Sequence, residues 1–252
     1  MSFDSEKKKL FSDFVEGEML NFNNKRLDSL KKIRLSTVLC RKNPYLFRAK
    51  GIETSAELIK EILDATISSK EETIFGNSLE VIAIKACELS CGGRKSTTEG
   101  VDLEFDRDDI RYLVAVKSGP NWGNSSSIKK LEDHFNKAQK VFKTGNHRGI
   151  VICINGCCYG RERMADKGSY FKCCGQEFWE LITGEEDFYK TLIEPLGEKA
   201  KEHNEAFLEQ YTLMLNKLVA EFSKEYVDKQ GRINWDAILE LNSKKFYEEL
   251  LP

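Results

Sequence analysis

Three charged residues near the middle of the chain have types and spacing suited to phosphodiester hydrolysis. Asp102 and Glu104 lie in Gly100-Val101-Asp102-Leu103-Glu104-Phe105, which alternates apolar and acidic residues. On a strand, positions i and i+2 share a face, so the two carboxylates project together. Lys117 ends the apolar run Tyr112-Leu113-Val114-Ala115-Val116-Lys117. The polar turn 106–109 between the two runs makes them a hairpin and sets the acidic pair beside the lysine. A carboxylate can hold a divalent hard cation, which takes oxygen ligands. Such an ion polarises a phosphate and lowers the pKa of a bound water. A lysine beside it orients or deprotonates that water, or neutralises charge developing on the phosphate.

A strand-borne aspartate followed by x-Lys on the next strand is the PD-(D/E)xK arrangement. The lysine follows Asp102 by fifteen residues, a suitable hairpin separation. The pattern also wants an acidic residue two before the lysine, where this chain has Ala115. The second metal ligand must then come from elsewhere. Glu80, on a helix preceding the hairpin, is the preferred candidate. Glu104 shares the face of Asp102 but lies further along its strand, and Glu132 and Asp133 lie on the following helix. The expected catalytic set is Asp102, Lys117 and Glu80, with Asp102 and Glu80 on Mg2+. Taken alone, so short a pattern recurs by chance more often than it catalyses.

Its surroundings point the same way. Ser118 to Ser127 is rich in amide and hydroxyl groups, which donate to phosphates and read base edges. Asn121, Trp122, Asn124, Ser125 and Ser126 are therefore candidate DNA contacts, with Ser125 or Ser126 also placed to cap the next helix. That helix is two-sided: Ile128, Leu131, Phe135, Ala138 and Phe142 make an apolar stripe, and Lys129, Lys130, His134, Lys137 and Lys140 lie opposite. Lys129 and Lys130 are candidate backbone contacts, and His134 is a candidate phosphate or solvent contact. Arg161 and Arg163 follow a third strand and suit phosphate or guanine. Adjacent cysteines at 157–158 and 173–174 lack the C-x2-C spacing of a zinc site, so buried thiols beside the sheet are the preferred reading.

The elements that must hold these groups are a strand-rich middle between helical ends. The periodicity predicts helices at about 4–20, 27–39, 56–68, 74–87, 126–143 and 202–229, and strands at 100–105, 112–117 and 149–154. This is an α/β fold, a mixed central sheet flanked by helices with N- and C-terminal helical regions. The expected division is 1–70, an N-terminal helical region; 71–184, the core; and 185–252, a C-terminal helical region. The stripe Phe207, Leu208, Tyr211, Met214, Leu215, Leu218, Val219 and Phe222 suits a twofold dimer or packing on the N-terminal helices. The 252 residues, 40% hydrophobic, suffice for a sizeable core. A net charge of -2 excludes a uniformly basic DNA-coating protein but not a local basic face. The N-terminus lacks the apolar core of a signal peptide, and no apolar run reaches spanning length, so a cytoplasmic, reducing setting away from membranes is expected.

Four segments resemble the PmeII-like type II restriction endonucleases. They are 71–77, Glu-Glu-Thr-Ile-Phe-Gly-Asn; 100–105; 116–126, with its Pro120-Asn121-Trp122-Gly123-Asn124; and 155–161, Asn-Gly-Cys-Cys-Tyr-Gly-Arg. The resemblance runs from about Asn43 to Lys245, and the loop after Lys117 is its most specific part. It implies a PD-(D/E)xK core, Mg2+, a homodimer on double-stranded DNA, a palindromic site with a GGNCC core, and a cognate DNA methyltransferase as functional partner. The family aspartate falls on Asp102, its lysine on Lys117 and its acidic residue on Ala115. Two other readings remain: a nuclease-fold DNA-binding protein that does not cut, favoured by Ala115, and a structure-specific repair or junction nuclease.

Overall fold

A computed structural model describes residues 3–144 and 149–245. The chain divides into two compact units, one from residues up to Phe22 and Phe75–Ala200, the other from Asn23–Ile74 and Lys201 onward.

The first unit is built on a sheet of β1 (Arg94–Lys95), β2 (Leu103–Arg107), β3 (Ile110–Lys117), β4 (Ile150–Cys157), β5 (Ala165–Asp166) and β6 (Phe171–Cys174), in the order β1-β2-β3-β4-β6-β5. β3, β4 and β6 run parallel, while β1–β2, β2–β3 and β5–β6 are antiparallel. The expected mixed α/β architecture is therefore the observed one. The β2–β3 hairpin closes through Asp108 and Asp109, both at positive φ (51° and 61°). A two-residue loop of that hand matches the twist of its strands, and aspartate tolerates left-handed backbone better than most residues.

Alternation along the central strands divides the core into two layers. Leu103, Val114, Val116, Ile154 and Cys173 pack with Phe11, Leu79, Ile82, Phe178 and Trp179, supplied by α1 (Ser5–Lys31), α4 (Ser55–Cys91) and α6 (Gln176–Thr183). On the other face Leu113, Ala115 and Cys153 pack with Leu131, Phe135 and Ala138 of α5 (Ser125–Thr144), the helix that crosses from β3 to the parallel β4. A parallel pair needs such a crossover, and its strands are buried on both faces.

Two helical expectations change. Helices expected at 56–68 and 74–87 form one continuous α4. The intervening Ser-Ser-Lys-Glu-Glu-Thr is polar but contains no proline or glycine, so nothing there breaks the backbone ladder. Lys70 Nζ donates to Ser29 O at 3.1 Å, and Glu71 pairs with Arg26, which fixes this polar stretch against α1. Conversely, the expected 27–39 helix is interrupted: α1 ends at Lys31, Arg34 is extended, and α2 (Leu35–Arg41) starts afresh.

In the second unit α8 (Ala200–Tyr226) spends its apolar stripe within the chain. Phe207, Leu218 and Phe222 are buried among Leu30, Leu58, Leu63 and Ile238, and Tyr211 Oη donates to Asp64 at 2.6 Å. Most of the stripe is thus packed within this unit, while Leu208 stays exposed.

Candidate active site

Every residue expected to act lies in the first unit. The β2–β3 register pairs Leu103 with Val114 and Glu104 with Leu113, which brings Asp102, the residue before β2, alongside β3 at Val114. Asp102 lies just before β2, held by its N–H to Val114 O (2.9 Å) and by its own carbonyl, which accepts from Ser96 N (3.1 Å). One carboxylate oxygen, Oδ2, accepts from Val116 N at 2.7 Å and lies 3.7 Å from Lys117 Nζ. Both side chains are partly exposed at the C-terminal end of β3. Gly100, at φ 76°, precedes them, and a Cβ there would overlap the ring of His134. His134 is therefore packed on the backbone that leads to Asp102, 3.7 Å from Glu99, rather than offered to phosphate or solvent as its sequence position suggested.

Glu80 comes to the same place from α4. Burial and the negative charge of Asp102 raise its carboxyl above the ordinary range, against the opposing charges of Lys95 and Lys117. Burial is the larger cause, and the like charge of Asp102 adds to it. Glu104, by contrast, is committed elsewhere. It is buried, accepts from Arg94 Nε (2.8 Å) and Ser96 Oγ (3.0 Å), and lies 3.9 Å from Arg111 Nη1. Glu132 lies near Tyr170, whose hydroxyl is raised by burial and by that carboxylate, and Asp133 is exposed on α5.

The loop after Lys117 is tied to the loop after β4. Cys158 N donates to Lys117 O (2.9 Å) and Tyr159 N to Ser118 O (3.1 Å). Gly119 lies under the Tyr159 ring, where a Cβ would overlap it, and Gly160, at φ 118°, fits against Pro120. Lys172 of β6 joins the two loops, donating to Pro120 O at 3.2 Å and pairing with Glu162 at 2.7 Å. The Asn121–Ser126 segment and the exposed Arg161 and Arg163 are thereby carried on adjoining loops. Trp122 sets its ring 5.3 Å from Lys117 Nζ, a cation–π approach that holds the amine. Asn121, Asn124, Ser125, Ser126, Lys129 and Lys130 are exposed. The α5 cap is Asn124, not Ser125 or Ser126: its Oδ1 accepts from Ser127 N at 3.0 Å and from the Ser126 and Ser127 hydroxyls. Asn and Ser are near-equal caps, so type alone could not choose between them.

The cysteine pairs split across the sheet. Cys158 and Cys173 join the Phe178 layer, whereas Cys157 and Cys174, registered partners on β4 and β6, face the other way. Adjacent residues on a strand point to opposite faces, so the four sulfurs do not converge. Burial pushes the Cys157 thiol up to about 12, which leaves it protonated.

A family model of the type II restriction endonuclease EcoO109I matches residues 9–204. The chain belongs to that family. The match begins earlier and stops sooner than the 43–245 range of the resemblance read from sequence, and it takes in the whole sheet and both loops. No curated protein matches the chain. Membership makes the chain a DNA-binding nuclease of the restriction class, and no helix among the described residues is long and apolar enough to cross a membrane.

Sequence reasoning passed over Lys172, which joins the loops, and Asn155, buried in β4. Asn155 had a signal: it is a polar residue immediately after the apolar run 150–154.

Proposed function

We propose that this restriction endonuclease makes Mg2+-dependent double-strand cuts at a palindromic DNA site, with Asp102, Glu80 and Lys117 at the reacting phosphate. The observation that carries the reading is the Asp102–Lys117 pair, 3.7 Å apart at the end of β3, with Glu80 electrostatically coupled to both. The donor set fits Mg2+. Among the described residues no three His, Cys, Asp or Glu side chains converge, but Mg2+ is commonly held by one or two carboxylates plus waters and substrate phosphate. Asp102 and Glu80 would hold it, and the ion would supply Lewis acidity and an acidified water. Lys117 places its ammonium at the phosphate and orients the attacking water. The Val116 N–H fixes Asp102, and the Trp122 ring steadies Lys117. The exposed amides of the 121–126 loop, Lys129, Lys130, Arg161 and Arg163 contact the DNA, by charge at phosphates and by hydrogen bonds at base edges.

The likeness of the 116–126 loop to PmeII-like enzymes supports a GGNCC core. A palindromic site supports a homodimer, since symmetric cutting needs two centres related by a twofold. A cell carrying such an enzyme needs a methyltransferase to protect its own DNA, and both would act in the cytoplasm.

Digestion of a sequenced genome with Mg2+, followed by end mapping, tests the reading. Discrete fragments with one shared end sequence are expected, and EDTA should abolish them. Cutting only at branched DNA would replace it with a junction nuclease. Gel retardation without cutting, across several metals and substrates, would replace it with the non-cleaving DNA-binding protein, the reading that the buried Ala115 favours.

Glu80→Gln is expected to lower cleavage at least tenfold and raise the Mg2+ concentration needed for half-maximal rate, with DNA retention unchanged. Normal cutting by this variant, assayed across a Mg2+ titration, would move the second ligand to Glu132 or Asp133. Glu104 is already bound by Arg94 and Ser96.

A further inference from the structure

Ala115 leaves a gap in the expected set of oxygen donors, and the strand beside it carries an unsatisfied one. β3 and β4 run in parallel register, with Ala115 opposite Asn155 and Lys117 opposite Cys157. β6 continues the row with Lys172 opposite Asn155. Ala115, Asn155 and Lys172 therefore form one line across the sheet on the face covered by α5, and Asp102 flanks β3 on its other side, its N–H on Val114 O and its carboxylate near Lys117. Asn155 is 1% exposed, and its Oδ1 has no hydrogen-bond partner among the described residues. Leaving a buried carbonyl oxygen unmatched costs about 1–3 kcal/mol, so such groups normally have a donor. Lys172 Nζ bonds Glu162 and Pro120 O, and Gln139 Nε2 bonds Cys153 Sγ at 3.4 Å.

We propose that the Asn155 side-chain oxygen completes the metal centre from β4, accepting a hydrogen bond from a water on the ion held by Asp102 and so standing in for the carboxylate absent at Ala115. The inference rests on the reading of Asp102 as a metal ligand. Distances favour an intervening water. Two strand spacings separate the backbones at Asp102 and Asn155 by roughly 9.6 Å, whereas one ion spans only about 4 Å between two ligand oxygens on parallel side chains. Carboxylate to ion, ion to water and water to amide add up to roughly 7 Å, which leaves room for modest lean of the side chains.

Mn2+ binding, followed by the free-ion EPR signal to millimolar concentration, separates this role from a packing role. Wild-type protein, Asp102→Asn, Asn155→Leu and Asn155→Asp are compared, each with a thermal melt. Asp102→Asn is expected to abolish uptake. Asn155→Leu should weaken Mn2+ affinity about tenfold while the melt is kept or raised, because the isosteric apolar group removes an unmatched oxygen. Asn155→Asp should tighten it about tenfold, and this variant carries the test if the leucine variant does not fold. Unchanged affinity in the Asn155 variants, with uptake lost in Asp102→Asn, overturns this inference and leaves the reading of Asp102 standing. A wild-type chain that takes up no Mn2+, or an Asp102→Asn chain that binds it as wild type does, overturns both.

Discussion

Replacing Lys117 by methionine, or Asp102 by asparagine, is expected to slow cleavage about a thousandfold, roughly 4 kcal/mol of barrier, while DNA retention changes little. Both substitutions are nearly isosteric, and each removes a charge without breaking the local frame. In Asp102→Asn the amide oxygen can still accept from Val116 N, the bond that fixes the side chain at 2.7 Å. In Lys117→Met the stem can still lie near Trp122, and the Cys158 N–H still bonds the residue's carbonyl. What disappears is the ammonium beside the phosphate in one case and the anionic oxygen donor in the other. Binding survives because it draws on the exposed Lys129, Lys130, Arg161 and Arg163, none of which is touched. Single-turnover cleavage of plasmid, with a parallel retardation assay in Ca2+, measures the two effects separately. Full cutting by either variant would remove that residue from the centre. Loss of binding in step with cleavage would recast it as a DNA contact.

The hairpin that carries these residues could be read directly from the sequence, because its signals are local. Alternation in 100–105, a turn of four polar residues and an apolar run ending in lysine each act within a few positions. The lysine-faced helix was equally plain, its apolar stripe falling at 3.6-residue spacing. Sheet order was not, because β6 joins β4 through pairing between distant segments that no short window records. The same limit hid Lys172, whose importance comes from joining two loops distant in sequence. α4 was misread as two helices because its polar middle resembles a linker until Arg26 and the Ser29 carbonyl supply its partners. The α8 stripe was visible, but a stripe says only that a face is covered, and here the chain's own helices cover most of it. Glu80 was picked for its place on a helix before the hairpin. The burial and the like charge of Asp102 that raise its carboxyl are properties of the folded site.

Trp179→Ala is expected to destabilise the protein by about 3–5 kcal/mol, the range for truncating a large buried aromatic residue. Trp179 is 1% exposed and belongs to the apolar layer beneath the sheet. Its ring meets Phe178 at 5.3 Å and Phe188 at 5.8 Å, and Phe188 in turn touches Phe3 and Phe11. One removal therefore opens a cavity beside Phe178 and Phe188. The loss also reaches the site. Trp179 Nε1 donates to Cys158 O at 2.8 Å, and Cys158 and Tyr159 are the residues whose amides hold Lys117 O and Ser118 O. Trp179→Phe keeps an aromatic ring in the layer but loses that bond and part of the indole volume, at a cost of about 1–3 kcal/mol. Thermal melts should thus fall by roughly 10 °C for the alanine variant and by a few degrees for phenylalanine. Cleavage measured well below either melt should be reduced in both, because the loop bearing Tyr159 loses an anchor. A phenylalanine variant with a lowered melt but wild-type cleavage would confine Trp179 to the core. An alanine variant that melts with wild type would contradict the packing on which the whole sheet end depends.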